Sequence, residues 1–218
     1  MRLQSAIFDM DGTLLDSMPT WRELGPTFLM EAGISATPEQ DRMLHTLADC
    51  DVIPYLREVC GLPWSQQEII GQIIQRMETF YSSQVRPKPG LEKFLSILKM
   101  EGVWMYVATA THRRLTEKAL KTAGIDHYFR GIVTSADAGN HKSESADIYE
   151  MAMRRLQSNK RDTVVFEDAL HAIRTAKAAG FRVAGVYEAT AEQDQPEIQR
   201  LCDYYIRSYE ELVQSETF

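Results

Sequence analysis

A parallel, doubly wound α/β sheet carrying an inserted all-helical segment is the fold class that this 218-residue sequence predicts. Three observations lead there. Short apolar runs alternate with helix-period segments over most of the chain, the pattern of consecutive βαβ units. Residues 16–86 break that alternation with helical spacing and almost nothing strand-like. The break opens just after the first apolar run and closes at a Pro-rich joint, RPKPG (86–90).

The elements follow in order. A first strand is expected at 3–8, then further strands near 103–108, 131–134, 163–166, 182–186 and 203–206. Between them, GLEKFLSILKMEG (90–102), LTEKALKTAG (115–124) and ADIYEMAMRRL (146–156) repeat apolar residues at helical period. Gly102 and Gly124 stand where a helix ends in the left-handed conformation. Right-handed crossovers place such helices on both faces of a parallel sheet. Within 16–86 helices are expected over 18–32, 39–48, 51–60 and 66–82, punctuated by Gly33, Pro38 and Gly61-Leu62-Pro63. Residues 1–15 with 87–218 then form the core, and 16–86 form a cap on the rim where such sheets bind ligands.

Composition narrows the function classes. A net charge of -7 argues against a nucleic-acid partner, since neutralising a phosphate backbone needs a basic face. No apolar run approaches the roughly 20 residues of a membrane span, and the N-terminus lacks the apolar region of a secretory signal. Cys50, Cys60 and Cys202 follow no CxxC spacing and read as reduced structural thiols, so a cytoplasmic setting is expected. A monomer is the default expectation.

Two acidic clusters carry the chemistry. In IFDMDGTLLDS (7–17) an apolar strand runs into Asp9, Asp11 follows, and Gly12 permits a tight turn. A calcium loop of EF-hand type would need Gly and Glu where Leu14 and Thr20 stand, so that reading fails. In VVFEDALHAIRTAKAAG (164–180) a second strand runs into Glu167 and Asp168. Strand ends of a parallel sheet share one rim, so these carboxylates converge there. Converging carboxylates repel unless a cation holds them, and oxygen-only ligands suit Mg²⁺.

Phosphate-binding elements accompany them. Strand VWMYVA (103–108) ends in Thr109-Ala110-Thr111 before a helix, and helix N-termini take phosphate oxygens readily. Thr111 reads as a plain N-cap of that helix. Lys142, in the loop ahead of a helix starting near Ser145, supplies a point charge of the kind phosphoryl transfer uses. Taken alone it reads equally as a solvated surface lysine.

With DMDGT (9–13), Thr109, Lys142 and Glu167-Asp168 in this order, the chain resembles the haloacid dehalogenase-like hydrolases. It is most similar to their helical-cap branch, which includes β-phosphoglucomutase and phosphoglycolate phosphatase. The resemblance covers essentially the whole chain and implies a Rossmann-like core beneath a helical cap. It implies Asp9 as nucleophile through an aspartyl-phosphate and Asp11 as general acid and then base. Mg²⁺ would be held by Asp9, the backbone carbonyl of Asp11, Asp168 and, directly or through water, Glu167. Thr109, the amide of Ala110 and Lys142 would bind the phosphoryl oxygens. One departure is plain: HKSESADIY (141–149) lacks the family's Pro, and Lys142 stands one residue farther from Asp147 than is usual.

Within that family, Asp11 argues against dehalogenation. The absence of lysine between Leu14 and Pro87 argues against phosphonatase chemistry, which needs a cap lysine. A mutase would carry a cap histidine near the position of Trp21 and basic residues for a second phosphate. Residues 16–86 hold five Arg against ten acids, which favours a phosphatase acting on a small phosphorylated metabolite. Trp21, His112 and Arg113 are the expected substrate contacts, with Ala48–Val52 near the entrance; Leu24 is expected to pack within the cap and His171 to be a helix residue beside the acids.

Overall fold

The computed structural model describes residues 3–44, 47 and 49–214. The chain enters through β1 (Ser5–Phe8) and passes into four helices, α1 (Met18–Glu31), α2 (Pro38–Leu44), α3 (Asp49–Glu58) and α4 (Gln66–Ser83). It returns through α5 (Leu91–Met100), β2 (Trp104–Thr109), α6 (Arg113–Thr122), β3 (Phe129–Thr134), α7 (Ser135–Ala138) and α8 (Asp147–Arg155). It closes with β4 (Thr163–Glu167), α9 (Leu170–Ala178), β5 (Arg182–Val186), α10 (Gln195–Leu201), β6 (Tyr204–Ile206) and α11 (Tyr209–Gln214). The expected strands and helices therefore form within one to two residues at most ends; β3 begins two residues early, and the helix expected over 39–48 ends at Leu44, with 45, 46 and 48 outside the described residues.

The six strands are parallel and ordered β3-β2-β1-β4-β5-β6. From β1 the chain works outward to one edge, then returns to β4 and works outward to the other. The reversal lies between β1 and β4, and sheets of this kind bind ligands beyond the carboxyl ends at such a point. Alternation along β1 serves both faces. Ala6 and Phe8 pack with Phe94, Leu95, Leu115 and Tyr209, while Ile7 packs with Tyr149, Ala152, Ile173 and Ala176. Helices α5, α6 and α11 thus cover one face and α8, α9 and α10 the other, which explains the near-continuous apolar character of the strands. Phe8 stacks on Phe166 of β4 at 4.3 Å between ring centroids, locking the two strands that bracket the reversal.

Helices α1–α4 form a separate layer above that rim. Ser65 and Glu68 make a reciprocal capping box at the start of α4, worth about 1 kcal/mol in comparable helices. Two strands of connection join layer and core. Lys88 N donates to Leu14 O (2.9 Å) and Asp16 N donates to Arg86 O (3.0 Å), so the outgoing and returning segments pair side by side. Ion pairs cross the gap as well, from Glu78 on α4 to Arg114 (2.6 Å) and Lys118 (3.4 Å) on α6.

Candidate active site

The turn after β1 is set by local chemistry. Met10 O accepts from Leu14 N and Leu15 N, both at 2.9 Å, and Gly12 adopts φ +82° to let the chain reverse. A Cβ at Gly12 would lie 2.3 Å from Asp168 Oδ2. Only glycine therefore lets the first acidic turn approach the second. Asp9 is fixed by its own amide, which donates to Phe166 O across 2.9 Å.

Asp9, Glu167 and Asp168 each bring an oxygen to a common point, all within 4.8 Å of one another and all buried. Lys142 is buried among them, and its ammonium donates to Asp9 Oδ1 and, at 2.9 Å, to Glu167 Oε1. The altered spacing before Asp147 does not displace it. Glu167 is saturated: Oε1 also accepts from Tyr149 OH (3.0 Å), and Oε2 accepts from Asp168 N (2.8 Å) and Ala169 N (3.0 Å). Asp168 Oδ1 accepts from Thr13 Oγ1 at 2.7 Å.

Protonation follows from this environment. Burial would raise Glu167, but Lys142 and the Ala169 amide outweigh it and hold the carboxyl below its ordinary range. Lys142 is held charged by Asp9 and Glu167 against the opposing effect of burial. Burial raises Asp9 and Asp168 well above the ordinary carboxylate value, with added repulsion from Glu167 and, for Asp168, from Asp9. Three buried carboxyl groups face one ammonium, so ionising all three leaves an excess of negative charge that a cation would neutralise. That donor set fits one hard divalent cation.

Asp11 stands apart from this cluster. Its Oδ1 accepts from Ser17 Oγ (2.6 Å) and Tyr81 OH (2.5 Å), and its Oδ2 accepts from Thr111 Oγ1 (2.7 Å). Both side-chain oxygens are engaged within the protein, and the group of acids that share a common point does not include Asp11. Thr111 is thus not the cap of α6; His112 is, its Nδ1 accepting from Arg114 N. Thr109 closes β2, buried, with its Oγ1 accepting from Thr111 N (3.1 Å), and Ala110 follows it exposed on the rim.

Of the outer contacts expected from sequence, Trp21 donates its indole N–H to Tyr81 OH at 3.0 Å, and that hydroxyl in turn reaches Asp11. Arg113 is turned to the sheet edge, where it donates to Ile132 O (3.0 Å) and pairs with Asp137 (2.7 Å). His112 is exposed beside the rim. Leu24 packs in the core as expected, and Val52 is half-buried against it, while Ala48 lies outside the described residues. Ser17, Tyr81, Tyr149 and Thr13 were not singled out by sequence. Tyr149 lies in the ADIYEMAMRRL helix and Thr13 in the DMDGT turn, but nothing local marks Tyr81.

The model of the family described as haloacid dehalogenase-like hydrolase matches residues 6–186. The chain belongs to that family. It is 26% identical over 185 residues to the phosphorylated carbohydrates phosphatase of Thermotoga maritima, covering 84% of this chain and 85% of that one. It is 27% identical over 217 residues to hexitol phosphatase B of Escherichia coli, covering 97% and 95%. The crystal structure of CbbY from Rhodobacter sphaeroides in complex with phosphate superposes with a TM-score of 0.76, at 23% identity over 96% of each chain. Among the described residues, no helix is long and apolar enough to cross a membrane.

Proposed function

We propose that this protein is a cytoplasmic, Mg²⁺-dependent phosphatase for small phosphomonoesters, such as a sugar phosphate or a phosphoglycolate-like acid. The observation that carries this is the pairing of buried Lys142 with Asp9 at the carboxyl ends of β1 and β4, beside Asp168 and Glu167. A carboxylate so placed is an anionic nucleophile that must meet an anionic phosphoryl group. The site supplies the positive charge that such an encounter needs.

In the first step a carboxylate oxygen of Asp9 bonds to phosphorus, the ester P–O bond breaks, and Asp11 gives its proton to the departing alkoxide. In the second step Asp11 takes a proton from water, the water oxygen bonds to phosphorus, and the bond to Asp9 breaks to release inorganic phosphate. Lys142, the Thr109 hydroxyl and the Ala110 amide would hold the equatorial oxygens. Mg²⁺ would lie on Asp9, Asp168 and the Asp11 carbonyl, where it offsets the charge of the phosphoryl oxygens. Glu167 serves mainly as the anchor of Lys142, since four donors already occupy its oxygens. Residues 16–86 act as the cap, excluding bulk water during the first step.

A mutase reading fits less well. The position near which the family's mutases carry histidine holds Trp21, committed to a link inside the molecule. The names of the two curated relatives also point to phosphate-ester hydrolysis.

The test is phosphate release from a panel of phosphomonoesters, with Mg²⁺ and with chelator, for wild type and Asp9→Asn. Metal-dependent release that vanishes in the variant is the expected result. Metal-independent release, or an active Asp9→Asn protein, would overturn the mechanism.

A further inference from the structure

Asp11 belongs to the core, yet two of the three side chains that donate to it come from the capping segment. Ser17 stands at the start of α1 and Tyr81 in the last turn of α4, while Thr111 comes from the loop after β2. Tyr81 is fully buried and 70 positions from Asp11 in the chain. An indole N–H only donates, so the direction of the chain of bonds is fixed. Trp21 donates to the Tyr81 oxygen, and the Tyr81 hydroxyl must then donate to Asp11.

We propose that Tyr81, held in its rotamer by Trp21, is a positioning residue that aims the acid–base carboxylate of Asp11 at the leaving oxygen and later at water. This deepens the phosphatase reading above and rests on it. The consequence is that the capping layer completes the core's acid–base group through one buried phenol. The ring alone would satisfy a packing role, because the tyrosine is enclosed by apolar neighbours. A phenol oxygen placed between two polar partners is not explained by packing.

Tyr81→Phe separates the two roles, since it keeps the ring and removes the hydroxyl. An alkyl phosphate needs its leaving oxygen protonated, whereas p-nitrophenolate departs without help. Expected for Tyr81→Phe is a kcat on a hexose phosphate lower by about tenfold or more, with KM within about twofold of wild type. Single-turnover release of p-nitrophenolate from p-nitrophenyl phosphate should stay near the wild-type rate, while the steady state, which needs water activated, falls. Trp21→Phe should move the same quantities in the same directions by a smaller factor. Hexose phosphate turnover unchanged in Tyr81→Phe would overturn the inference. So would p-nitrophenolate release falling in step with it, since that marks general disruption. A wild-type protein that hydrolyses no monoester fails earlier and separately, taking down the phosphatase reading itself.

Discussion

Lys142 donates to Glu167 across 2.9 Å, and that contact holds the ammonium against the Asp9 carboxylate. Neither partner is tolerable in the interior alone. The lysine is kept charged by the acids, and Glu167 is kept ionised chiefly by the lysine against its own burial. The pair is therefore a structural unit, and it brings positive charge to the proposed reacting centre.

Lys142→Met should abolish most activity and weaken the fold together. Removing one charged donor from a site of this kind costs about 100- to 1000-fold in rate. Breaking a buried pair by deleting one member costs roughly 3–5 kcal/mol, because the remaining charge is left uncompensated. Phosphate release and chemical denaturation in chelator read the two effects. A variant as stable as wild type would show that Lys142 is not structurally coupled to Glu167.

Glu167→Gln tests the anchor. Four donors converge on the native carboxylate, and an amide replaces one acceptor with a donor that must face two of them. A loss of about 1–3 kcal/mol is expected from the unsatisfied donors. The rate should drop by about ten- to a hundredfold as Lys142 loses its support, by analogy with outer-shell ligands of metal sites. Thermal unfolding and steady-state kinetics on one preparation suffice. Full activity would move Lys142's positioning elsewhere.

Gly12→Ala should damage the cation site specifically. The residue has φ +82°, and its new methyl would meet Asp168 Oδ2 at 2.3 Å and Met18 Cγ at 2.8 Å. The left-handed backbone alone costs roughly 1–2 kcal/mol. Because Asp168 has to move, the apparent Mg²⁺ affinity should fall by about tenfold, read from the Mg²⁺ concentration needed to raise the melting temperature. Unaltered metal response would mean that Asp168 does not bind through the oxygen facing Gly12.

In chelator, stability should fall as pH rises above the ordinary carboxylate range. Burial first, then the charges of Glu167 and Asp9, raise Asp168 well above 3.8, so the folded protein binds more protons than the unfolded chain across that window. The contribution is complete below the unfolded value and is lost as pH climbs through the folded one. Asp168→Asn should flatten that slope, and Mg²⁺ should reverse the loss by stabilising the ionised form. Denaturation midpoints between about pH 5 and about pH 8 check it. A slope identical in Asp168→Asn and wild type would remove Asp168 as its source.

Much of this was legible in one dimension. Buried parallel strands must be apolar along their length, so β1 and β4 announce themselves, and their acids sit at strand ends by adjacency alone. Gly102 and Gly124 stop their helices with positive φ, as their positions imply. The altered spacing before Asp147 put the place of Lys142 in question, and the fold brings it to Asp9 and Glu167. Side chains with a choice of partner were left open. Trp21, expected at the substrate, donates to Tyr81 OH, and Arg113 donates to Ile132 O and pairs with Asp137. Thr111 was expected to cap α6 and instead reaches Asp11, leaving that cap to His112.

Sequence periodicity and turn chemistry are local, acting over a few residues, and they determined the strands, the helices and the residue types at the rim. Neighbour relations are not local. Thr13 meets Asp168 across 155 positions, Lys142 meets Asp9 across 133, and Tyr81 meets Asp11 across 70. Those contacts depend on strand order and on how α4 lies over the rim, which packing of the whole chain decides. A buried phenol in an amphipathic helix has the same local pattern whether its oxygen touches water, backbone or a carboxylate. Only the folded molecule, where an unpartnered buried hydroxyl is costly, selected Asp11.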